Sequence, residues 1–316
     1  MDGAVHPGSS GRSGGRDPRQ ISVARLAEFG HVPRRSLGQN FLVDDNVIRV
    51  ILARLGCEKD DVVIEVGAGM GVLTKALVAV AGHVHAFEID DKLLDPLRAS
   101  LEGPQGMPAN LTLHMEDVLN ADMGTLEPPP TLCASNLPYS IAAPFLAEAV
   151  CHLPSVRRYV VMSQREVAER LVARSGGKTY GSISVWMRLH TRVVETRPLS
   201  RTIFRPIPRV DSTLLTLDRR VEDELVEREP QLVRSVIDMA FSSRRKTWVN
   251  AVAAATGLPK EAVAAAGAEA GLAPCLRAEQ LEPQQYLALS RAFLDRGWQS
   301  AAARSTAYRP SPKRAR

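Results

Sequence analysis

Short apolar runs alternate with segments of helical periodicity through the first two thirds of this chain. The run Val62-Val63-Ile64-Glu65-Val66 ends at Gly67, as a strand buried in a parallel sheet does. Residues 70–81 then place apolar side chains at helical spacing. Further strands are predicted at Val84 to Phe87, Leu111 to Met115, Leu132 to Ser135, Tyr159 to Met162 and Thr213 to Leu217. This alternation predicts an α/β fold with a doubly wound, Rossmann-like sheet.

From about Val221 the pattern changes to Ala/Leu-rich helices, which predicts a small C-terminal all-helical domain. Gly257 and Gly271 are expected to end two of these helices. The predicted helices cover 231–241, 246–256, 260–266 and 284–295. We interpret the chain as four parts: a disordered extension (1–30), a Rossmann-like domain (31–220), the helical domain (221–298) and a basic disordered tail (299–316).

The positive charge of the chain is concentrated at its two ends. The net charge is +5; residues 297–316 carry +5 and residues 1–20 carry +1, which leaves the body close to neutral at −1. With 45% hydrophobic and 24% charged residues, that body has an ordinary globular composition. Basic tails add a salt-sensitive attraction to phosphates, but only local cation clusters can indicate a nucleic-acid surface on the body.

Several protein classes are disfavoured by the sequence. No apolar run approaches the ~18 residues that a membrane span needs, and no secretory signal is evident. The four cysteines, Cys57, Cys133, Cys151 and Cys275, form no C-x-x-C pair, which argues against a zinc site. Scattered cysteines without an export signal are typical of reduced thiols. We therefore expect a cytoplasmic, monomeric protein without a metal or a membrane contact.

Polar residues follow successive predicted strands, at the edge where open α/β sheets bind ligands. The first strand leads into Glu65-Val66-Gly67-Ala68-Gly69-Met70-Gly71, and Val72 stands where a dinucleotide fingerprint needs glycine. The E-x-G-x-G-x-G spacing resembles motif I of adenosylmethionine methyltransferases. Glu88 follows the second strand, where an acid can accept both hydroxyls of a ribose. Asp90 is its local competitor, and Asp117 follows the third strand.

The fourth strand ends in Asn136-Leu137-Pro138-Tyr139. The lone pair of an adenine amino group is delocalised into the ring, which makes the nitrogen a poor nucleophile. A methyltransferase therefore has to localise this lone pair on the nitrogen. The Asn136 side-chain oxygen and the Leu137 carbonyl can accept the two amino protons. Pro138 restrains the loop, and Tyr139 offers a flat face for a base removed from its stack. The tetrapeptide resembles motif IV of amino-group methyltransferases in its N-[LI]-P-Y form.

Three further segments narrow the resemblance to the ribosomal RNA adenine dimethyltransferases. Ser36-Leu37-Gly38-Gln39-Asn40-Phe41-Leu42 is similar to their S-x-G-Q-N-F-L segment. Residues 204–212, Phe-Arg-Pro-Ile-Pro-Arg-Val-Asp-Ser, resemble F-x-P-x-P-[KR]-V-D-S. Residues 241–247 resemble the F-x-x-R-R-K-T segment of the KsgA branch, which dimethylates two adjacent adenines near the 3′ end of small-subunit rRNA. The match runs from about Ser36 to Phe293.

The resemblance implies roles for residues at matching positions. It implies that Asn136, Leu137, Pro138 and Tyr139 hold the target adenine, with Phe204 as a second ring wall. The implied contacts to S-adenosylmethionine are Gln39, Asn40, Leu42, Gly67, Gly69, Glu88, Asp117 and Asn136. Two departures from the family pattern, Ala68 for proline and Ser140 for asparagine, replace no group assigned to the chemistry.

Cation clusters inside these segments predict contacts to RNA phosphates. Arg244, Arg245 and Lys246 lie at a predicted helix start, where the helix dipole disfavours cations unless an anion is nearby. Arg201, Arg205 and Arg209 flank Phe204. The expected partner is small-subunit rRNA in an immature ribosomal particle.

Three other functions remain open at this point. A branch that methylates one adenine of large-subunit rRNA and confers macrolide resistance shares the active-site logic, but the 241–247 segment and the helical domain argue against it. A ribosome-assembly or transcription-accessory factor with little catalysis is disfavoured by the intact Gly67, Glu88 and Asn136. A dehydrogenase is opposed by Val72 and by the tetrapeptide.

Overall fold

The computed structural model describes residues 33–34, 37–220 and 223–298. Nine strands lie within these residues: β1 (Phe41–Leu42), β2 (Val62–Val66), β3 (His83–Phe87), β4 (Leu111–His114), β5 (Leu132–Asn136), β6 (Arg158–Gln164), β7 (Thr191–Leu199), β8 (Phe204–Arg205) and β9 (Ser212–Arg219). The helices that alternate with the strands are α1 (Asp45–Leu55), α2 (Val72–Val80), α3 (Leu94–Leu101), α4 (Ala142–His152), α5 (Arg165–Leu171) and α6 (Ser182–His190). Those that follow the last strand are α7 (Glu224–Arg228), α8 (Pro230–Phe241), α9 (Trp248–Thr256), α10 (Lys260–Glu269) and α11 (Pro283–Asp295).

Seven strands form one sheet in the order β4-β3-β2-β5-β6-β9-β7. Strands β2 to β6 pair in parallel, so their carboxyl ends share one edge. β9 is antiparallel to both of its neighbours, β6 and β7. The strand order reverses between β2 and β5, which is the position where an open α/β sheet forms a ligand crevice. The predicted α/β class is confirmed.

The sequence did not predict β7, although it is nine residues long. It is the edge strand beside β9, and most of its side chains are exposed or half-buried. Charged residues and Pro198 are tolerated there because one side of an edge strand faces solvent. An apolar run, which is the usual signal for a buried strand, is therefore missing. The predicted strand Thr213 to Leu217 is longer, covers Ser212–Arg219 and lies inside the sheet.

Apolar side chains fill both faces of the sheet. One face packs against α1, α2 and α3 through buried residues such as Ile51, Leu77 and Leu97. The other face packs against α4 and α6, and its core continues without a break into α8, α9 and α11. The helices after β9 thus share a core with the sheet, and the division at residues 220 and 221 stays a prediction.

The packing of α9 on α10 depends on one small residue. A Cβ atom at Gly267 would lie 2.1 Å from the Cη2 atom of Trp248, so only glycine leaves room for the buried indole. α9 begins at Trp248, two residues after the predicted start, because the Thr247 hydroxyl accepts a hydrogen bond from the Asn250 N–H and caps the helix.

A two-stranded antiparallel ladder joins segments that are distant in sequence. β1 pairs with β8, with Phe41 opposite Arg205 and Leu42 opposite Phe204. The N–H of Val43 donates to the carbonyl of Ile203 at 2.9 Å and extends the ladder. The ladder therefore places residues 37–42 beside the 204–212 segment. Within the described ranges, no helix is both long and apolar enough to cross a membrane.

Candidate active site

The loops after β2, β3 and β5 converge on one cavity at the carboxyl edge of the sheet. The N–H groups of Gly67 and Ala68 donate to the carbonyl of Phe87 at 2.8 and 3.0 Å and hold the loops after β2 and β3 together. The cavity lining includes ten residues predicted for the cofactor or the chemistry: Gln39, Asn40, Leu42, Gly67, Gly69, Glu88, Asn136, Leu137, Pro138 and Tyr139.

The glycine loop packs directly on the tetrapeptide. Gly67 has a φ of +80°, and a Cβ atom there would lie 3.0 Å from the Cδ atom of Pro138. A side chain at this position would therefore be strained and would also press on the proline ring. Gly67 permits the close approach of the β2 loop to the β5 loop, which brings the predicted cofactor segment next to the predicted chemical segment.

The Glu88 carboxyl group is held at the cavity wall by backbone donors. Its Oε2 atom accepts from the Gly69 N–H at 2.8 Å, and its Oε1 atom accepts from the N–H groups of Ile89 and Asp90 at 3.0 and 2.9 Å. The side chain is 6% exposed, and burial raises its pKa. A carboxylate has about four lone-pair positions, so acceptor capacity remains for a ligand hydroxyl.

Asp90, the alternative acid, is engaged elsewhere. It accepts hydrogen bonds from the Gln39 side-chain amide at 2.7 Å and from the Arg34 guanidinium at 3.2 Å. The Gln39 amide oxygen in turn accepts from the Arg34 N–H at 2.7 Å. Although burial opposes it, these partners hold the Asp90 pKa below its ordinary value. Asp90 thus fastens the segment before β1 to the β3 loop, whereas Glu88 faces the cavity.

A second acid, Glu65, lies inside the cavity wall in an unusual state. It is 1% exposed, and its Oε2 atom has no hydrogen-bond partner among the described residues. Burial raises the pKa of Glu65 to about 8, and the nearby Glu88 charge acts in the same direction. Its carboxyl group is therefore mainly protonated at neutral pH. The nearby Thr74 hydroxyl, which is also buried without a hydrogen-bond partner among the described residues, acts on this pKa in the opposite direction.

The Asn136 side chain is oriented by the segment before β1. Its Nδ2 atom donates to the carbonyl of Asn40 at 3.0 Å. The Asn40 side chain donates to the Gly38 carbonyl, also at 3.0 Å, and stiffens that segment. Because the nitrogen end of the Asn136 amide is occupied, its Oδ1 atom is left as the acceptor. The Leu137 N–H donates to the Met162 carbonyl at 3.1 Å and continues the β5–β6 ladder beyond Asn136.

Tyr139 is held by a residue whose role the sequence did not indicate. The hydroxyl groups of Tyr139 and Ser212 are 3.2 Å apart, and burial raises the pKa of the tyrosine. Ser212 is 1% exposed and begins β9. It lies within the recognised 204–212 segment, which was the available signal. The pairing itself joins positions 73 residues apart and required the tertiary structure.

Two predicted site residues lie outside the cavity lining. Phe204, the first residue of β8, is 1% exposed, and its side chain packs among apolar residues of the core. Asp117 is half-buried, and its Oδ1 atom accepts from the Leu119 N–H at 3.2 Å. Their roles as a ring wall and as an adenine contact stay predictions.

The predicted RNA-binding cations are at the surface. Arg244, Arg245 and Lys246 form an exposed turn immediately before the cap of α9. Arg209 is exposed, whereas Arg205 donates to the carbonyls of Thr202 and Phe204 and braces its own loop.

The sheet order and the cavity at its carboxyl edge define a Rossmann-like methyltransferase fold. A family model described as ribosomal RNA adenine dimethylase matches residues 30–294. The chain therefore belongs to the ribosomal RNA adenine dimethylase family.

Relatives with assigned names agree with this family. The chain is 39% identical to ribosomal RNA small subunit methyltransferase A of Rubrobacter xylanophilus, over 82% of this chain and 94% of the relative. It is 40% identical to the protein of the same name from Mycobacterium avium, over 88% of each chain.

Solved structures share the architecture. A dimethyladenosine transferase from Plasmodium falciparum superposes with a TM-score of 0.68 at 23% identity, covering 81% of this chain and 98% of that one. The 23S rRNA methyltransferase ErmE superposes with a TM-score of 0.58 at 26% identity, covering 80% of this chain and 99% of that one. The first similarity concerns the fold alone.

The buried Glu65 leads to a prediction about stability and pH. An unfolded glutamate loses its proton near pH 4.5, whereas folded Glu65 keeps it up to about pH 8. The contribution of Glu65 to the free energy of unfolding is fully present below pH 4.5. It decreases as the pH rises toward 8, by up to about 1.4 kcal/mol per pH unit. Glu65→Gln cannot ionise, so its free energy of unfolding should rise relative to the unmodified protein between pH 5 and 8.

Urea unfolding at pH 5, 6.5 and 8 measures this difference. Glu102→Gln, a substitution at an exposed glutamate, is the matched control and should give a difference that does not change with pH. A difference for Glu65→Gln that is equally independent of pH would contradict the proposed protonation state.

Proposed function

We propose that this protein transfers methyl groups from S-adenosylmethionine to the N6 atoms of two adjacent adenines near the 3′ end of small-subunit (16S) rRNA during ribosome maturation. The observation that carries the chemistry is the hydrogen bond from Asn136 to the Asn40 carbonyl, which leaves an amide oxygen as an acceptor at the cavity. The names of the relatives that cover most of the chain support the small-subunit substrate.

The cavity wall suits the polar groups of S-adenosylmethionine. Glu88 offers acceptor capacity for ribose hydroxyls, and the unsatisfied Oε2 atom of Glu65 can accept from an ammonium or hydroxyl donor. Gly67 and Gly69 leave backbone rather than side chains at the wall, which allows close approach. Gln39, Asn40 and Leu42 complete the lining on the side of β1. The buried Glu88 carboxylate, beside the neutral Glu65, suits a ligand that carries positive charge.

When bound, S-adenosylmethionine supplies an electrophilic methyl group on a positive sulfonium. The protein prepares the amine that attacks it. In the first transfer the Asn136 side-chain oxygen and the Leu137 carbonyl would each accept a hydrogen bond from one amino N–H, which favours a pyramidal nitrogen with its lone pair directed at the methyl group. The nitrogen–carbon bond would form as the carbon–sulfur bond breaks, and the surplus proton on the nitrogen would pass to water. In the second transfer the one remaining N–H would donate to one of the two acceptors. Fixed acceptors need no reorganisation during the reaction, and holding the amine in line supplies most of the rate gain.

Tyr139 and Pro138 position the base. Pro138 restricts the backbone of its own residue and of Leu137, so the acceptor carbonyl keeps one direction. The Tyr139 hydroxyl is tied to Ser212, which limits rotation of the phenol ring. An aromatic face held in this way can stack on an adenine flipped out of the RNA, a contact worth about 1–3 kcal/mol per base. The protein therefore selects an unstacked adenine rather than a base within a helix.

The wider setting is also part of the proposal. The substrate is rRNA within an immature small-subunit particle, and the enzyme acts as a cytoplasmic monomer. The exposed turn of Arg244, Arg245 and Lys246 contacts phosphates of the particle, with further contacts from Arg209 and Arg205.

Large-subunit rRNA is the second candidate substrate. It is favoured by the similarity to ErmE, which is named as a 23S rRNA methyltransferase. The small-subunit methyltransferases are 39 to 40% identical, against 26% for ErmE, and this difference favours the small-subunit substrate.

Methyl transfer to three substrates tests the proposal. The protein is incubated with labelled S-adenosylmethionine and unmodified small-subunit particles, naked small-subunit rRNA or large-subunit rRNA, and the nucleosides are then analysed. We expect dimethyladenosine in the small-subunit samples. Dimethyladenosine in large-subunit rRNA alone would overturn the substrate, and no methylated adenosine in any sample would overturn the activity.

Removing the Asn136 acceptor should nearly abolish turnover. Loss of one preorganised hydrogen-bonding group typically lowers kcat by about 10²- to 10³-fold, and we expect Asn136→Ala to reach this range. S-Adenosylmethionine affinity and the unfolding midpoint are measured separately to isolate the chemical step. Asn120→Ala, at an exposed asparagine, is the control and should keep full activity. Full activity of Asn136→Ala would refute the role of this side chain.

Charge reversal at the exposed turn should weaken RNA binding. The Arg244→Glu, Arg245→Glu double variant is expected to bind small-subunit rRNA less tightly, and its salt slope should fall by about two, one for each lost phosphate contact. A salt titration of binding measures both quantities. The Lys75→Glu, Arg98→Glu double variant changes two exposed cations on α2 and α3 and should behave like the unmodified protein. Equal salt slopes of rRNA binding in all three proteins would contradict phosphate contact by Arg244 and Arg245.

A further inference from the structure

A second cavity opens at the same sheet edge, one strand away from the tetrapeptide. It measures about 620 Å³ and lies between α5, the end of β7 and the start of β9. Ser212 is paired with Gln164 at the end of β6 and with Leu199 at the end of β7. Because β5 and β6 are parallel neighbours, the cavity at the end of β6 adjoins the loop that begins at Asn136. We call it the flanking cavity.

One pair of hydroxyl groups connects the two cavities. Tyr139 lines the active-site cavity, Ser212 lines the flanking cavity, and their oxygen atoms are 3.2 Å apart. A nucleotide held against Tyr139 would therefore have the flanking cavity beside it. The next nucleotide of the same strand is the group that a covalent connection would bring there.

The flanking cavity has the composition of a site for a flat, partly polar group. Its floor is apolar, built from the buried residues Ala168, Leu199 and Leu215. Thr196 and Asp211 lie at its exposed wall, where the Asp211 carboxylate can accept from an exocyclic amine or a ribose hydroxyl. An apolar floor with a few polar groups is typical of small-molecule sites of this volume.

The mouth of the flanking cavity carries cations that suit a phosphate backbone. An adjoining space of about 670 Å³ shares Arg165, Glu169 and Asp211 with it and is also lined by Glu166, Arg201 and Arg209. Arg165 is paired with Glu169 at 2.8 Å. Arg201 and Arg209 are exposed, and neither forms an ion pair within the described residues. Exposed cations without a carboxylate partner can bind phosphate without first breaking a salt bridge.

We propose that the flanking cavity binds the nucleotide adjacent to the target adenosine, with its base on the apolar floor and its phosphate at Arg201 and Arg209. The inference rests on the proposed function and extends it: while one adenine of an adjacent pair is at Tyr139, its neighbour occupies the flanking cavity. Holding two consecutive bases apart keeps the strand unstacked at the point of methyl transfer.

The test combines a filled cavity with a missing base. Thr196→Trp places an indole at the cavity wall, and Val194→Trp places one on the same edge strand outside the cavity. Each protein is bound to a short single-stranded RNA with two adjacent adenosines, and to the same RNA with an abasic nucleotide beside the target. Binding is measured by fluorescence anisotropy with S-adenosylhomocysteine present, and unfolding midpoints verify the fold.

The unmodified protein and Val194→Trp should lose about tenfold in affinity when the neighbouring base is absent, as expected for one stacked base. Thr196→Trp should bind the intact RNA about tenfold more weakly and lose nothing further with the abasic RNA. Equal binding of both RNAs by the unmodified protein would overturn the proposal. So would a tenfold discrimination that persists in Thr196→Trp.

A charge variant keeps the proposal testable if Thr196→Trp does not fold. Arg201→Glu should weaken binding of the intact RNA and lower the salt slope by about one, whereas Arg98→Glu should change neither. Unchanged binding and slope in Arg201→Glu would overturn the phosphate assignment. Methyl transfer by the unmodified protein to small-subunit particles is measured in parallel. If that transfer is absent, the proposed function fails; if it is present and Thr196→Trp discriminates normally, only the flanking cavity fails.

Discussion

The site depends on the hydrogen bond between the Asn136 side chain and the Asn40 carbonyl. An amide can present its oxygen to a substrate reliably only when its nitrogen is already engaged, because the two ends are otherwise interchangeable by rotation. The Asn40 carbonyl is held in place by the β1–β8 ladder and by the contact from Asp90 to Gln39. The orientation of the Asn136 side-chain oxygen is thus fixed by Asn40, which lies 96 residues earlier in the chain.

Buried acids give the cavity its electrostatic character. Glu88 is satisfied by backbone donors, whereas Glu65 keeps one oxygen unsatisfied and holds its proton at neutral pH. Two carboxyl groups so close together disfavour simultaneous ionisation, and a positively charged ligand relieves that cost. The same feature that lowers stability in the absence of ligand therefore favours a cationic cofactor, which connects the energetics of the fold with the proposed chemistry.

The helices after β9 stabilise the sheet rather than lying apart from it. Buried side chains of α8, α9 and α11 continue the hydrophobic core that begins at β2 and α4. The exposed cations before α9 therefore lie next to helices that share a hydrophobic core with the sheet.

The sequence by itself determined the sheet class, the order of the strand-end motifs and most of the cavity lining, because apolar runs and residue spacing are local properties. Tertiary structure alone decided that Ser212 meets Tyr139 and that the Phe204 side chain is buried in the core. It also revealed β7, whose exposed edge position removes the apolar signal. These features arise from contacts between segments that are distant in sequence. The pattern of apolar and polar residues along one segment does not specify which other segment it contacts.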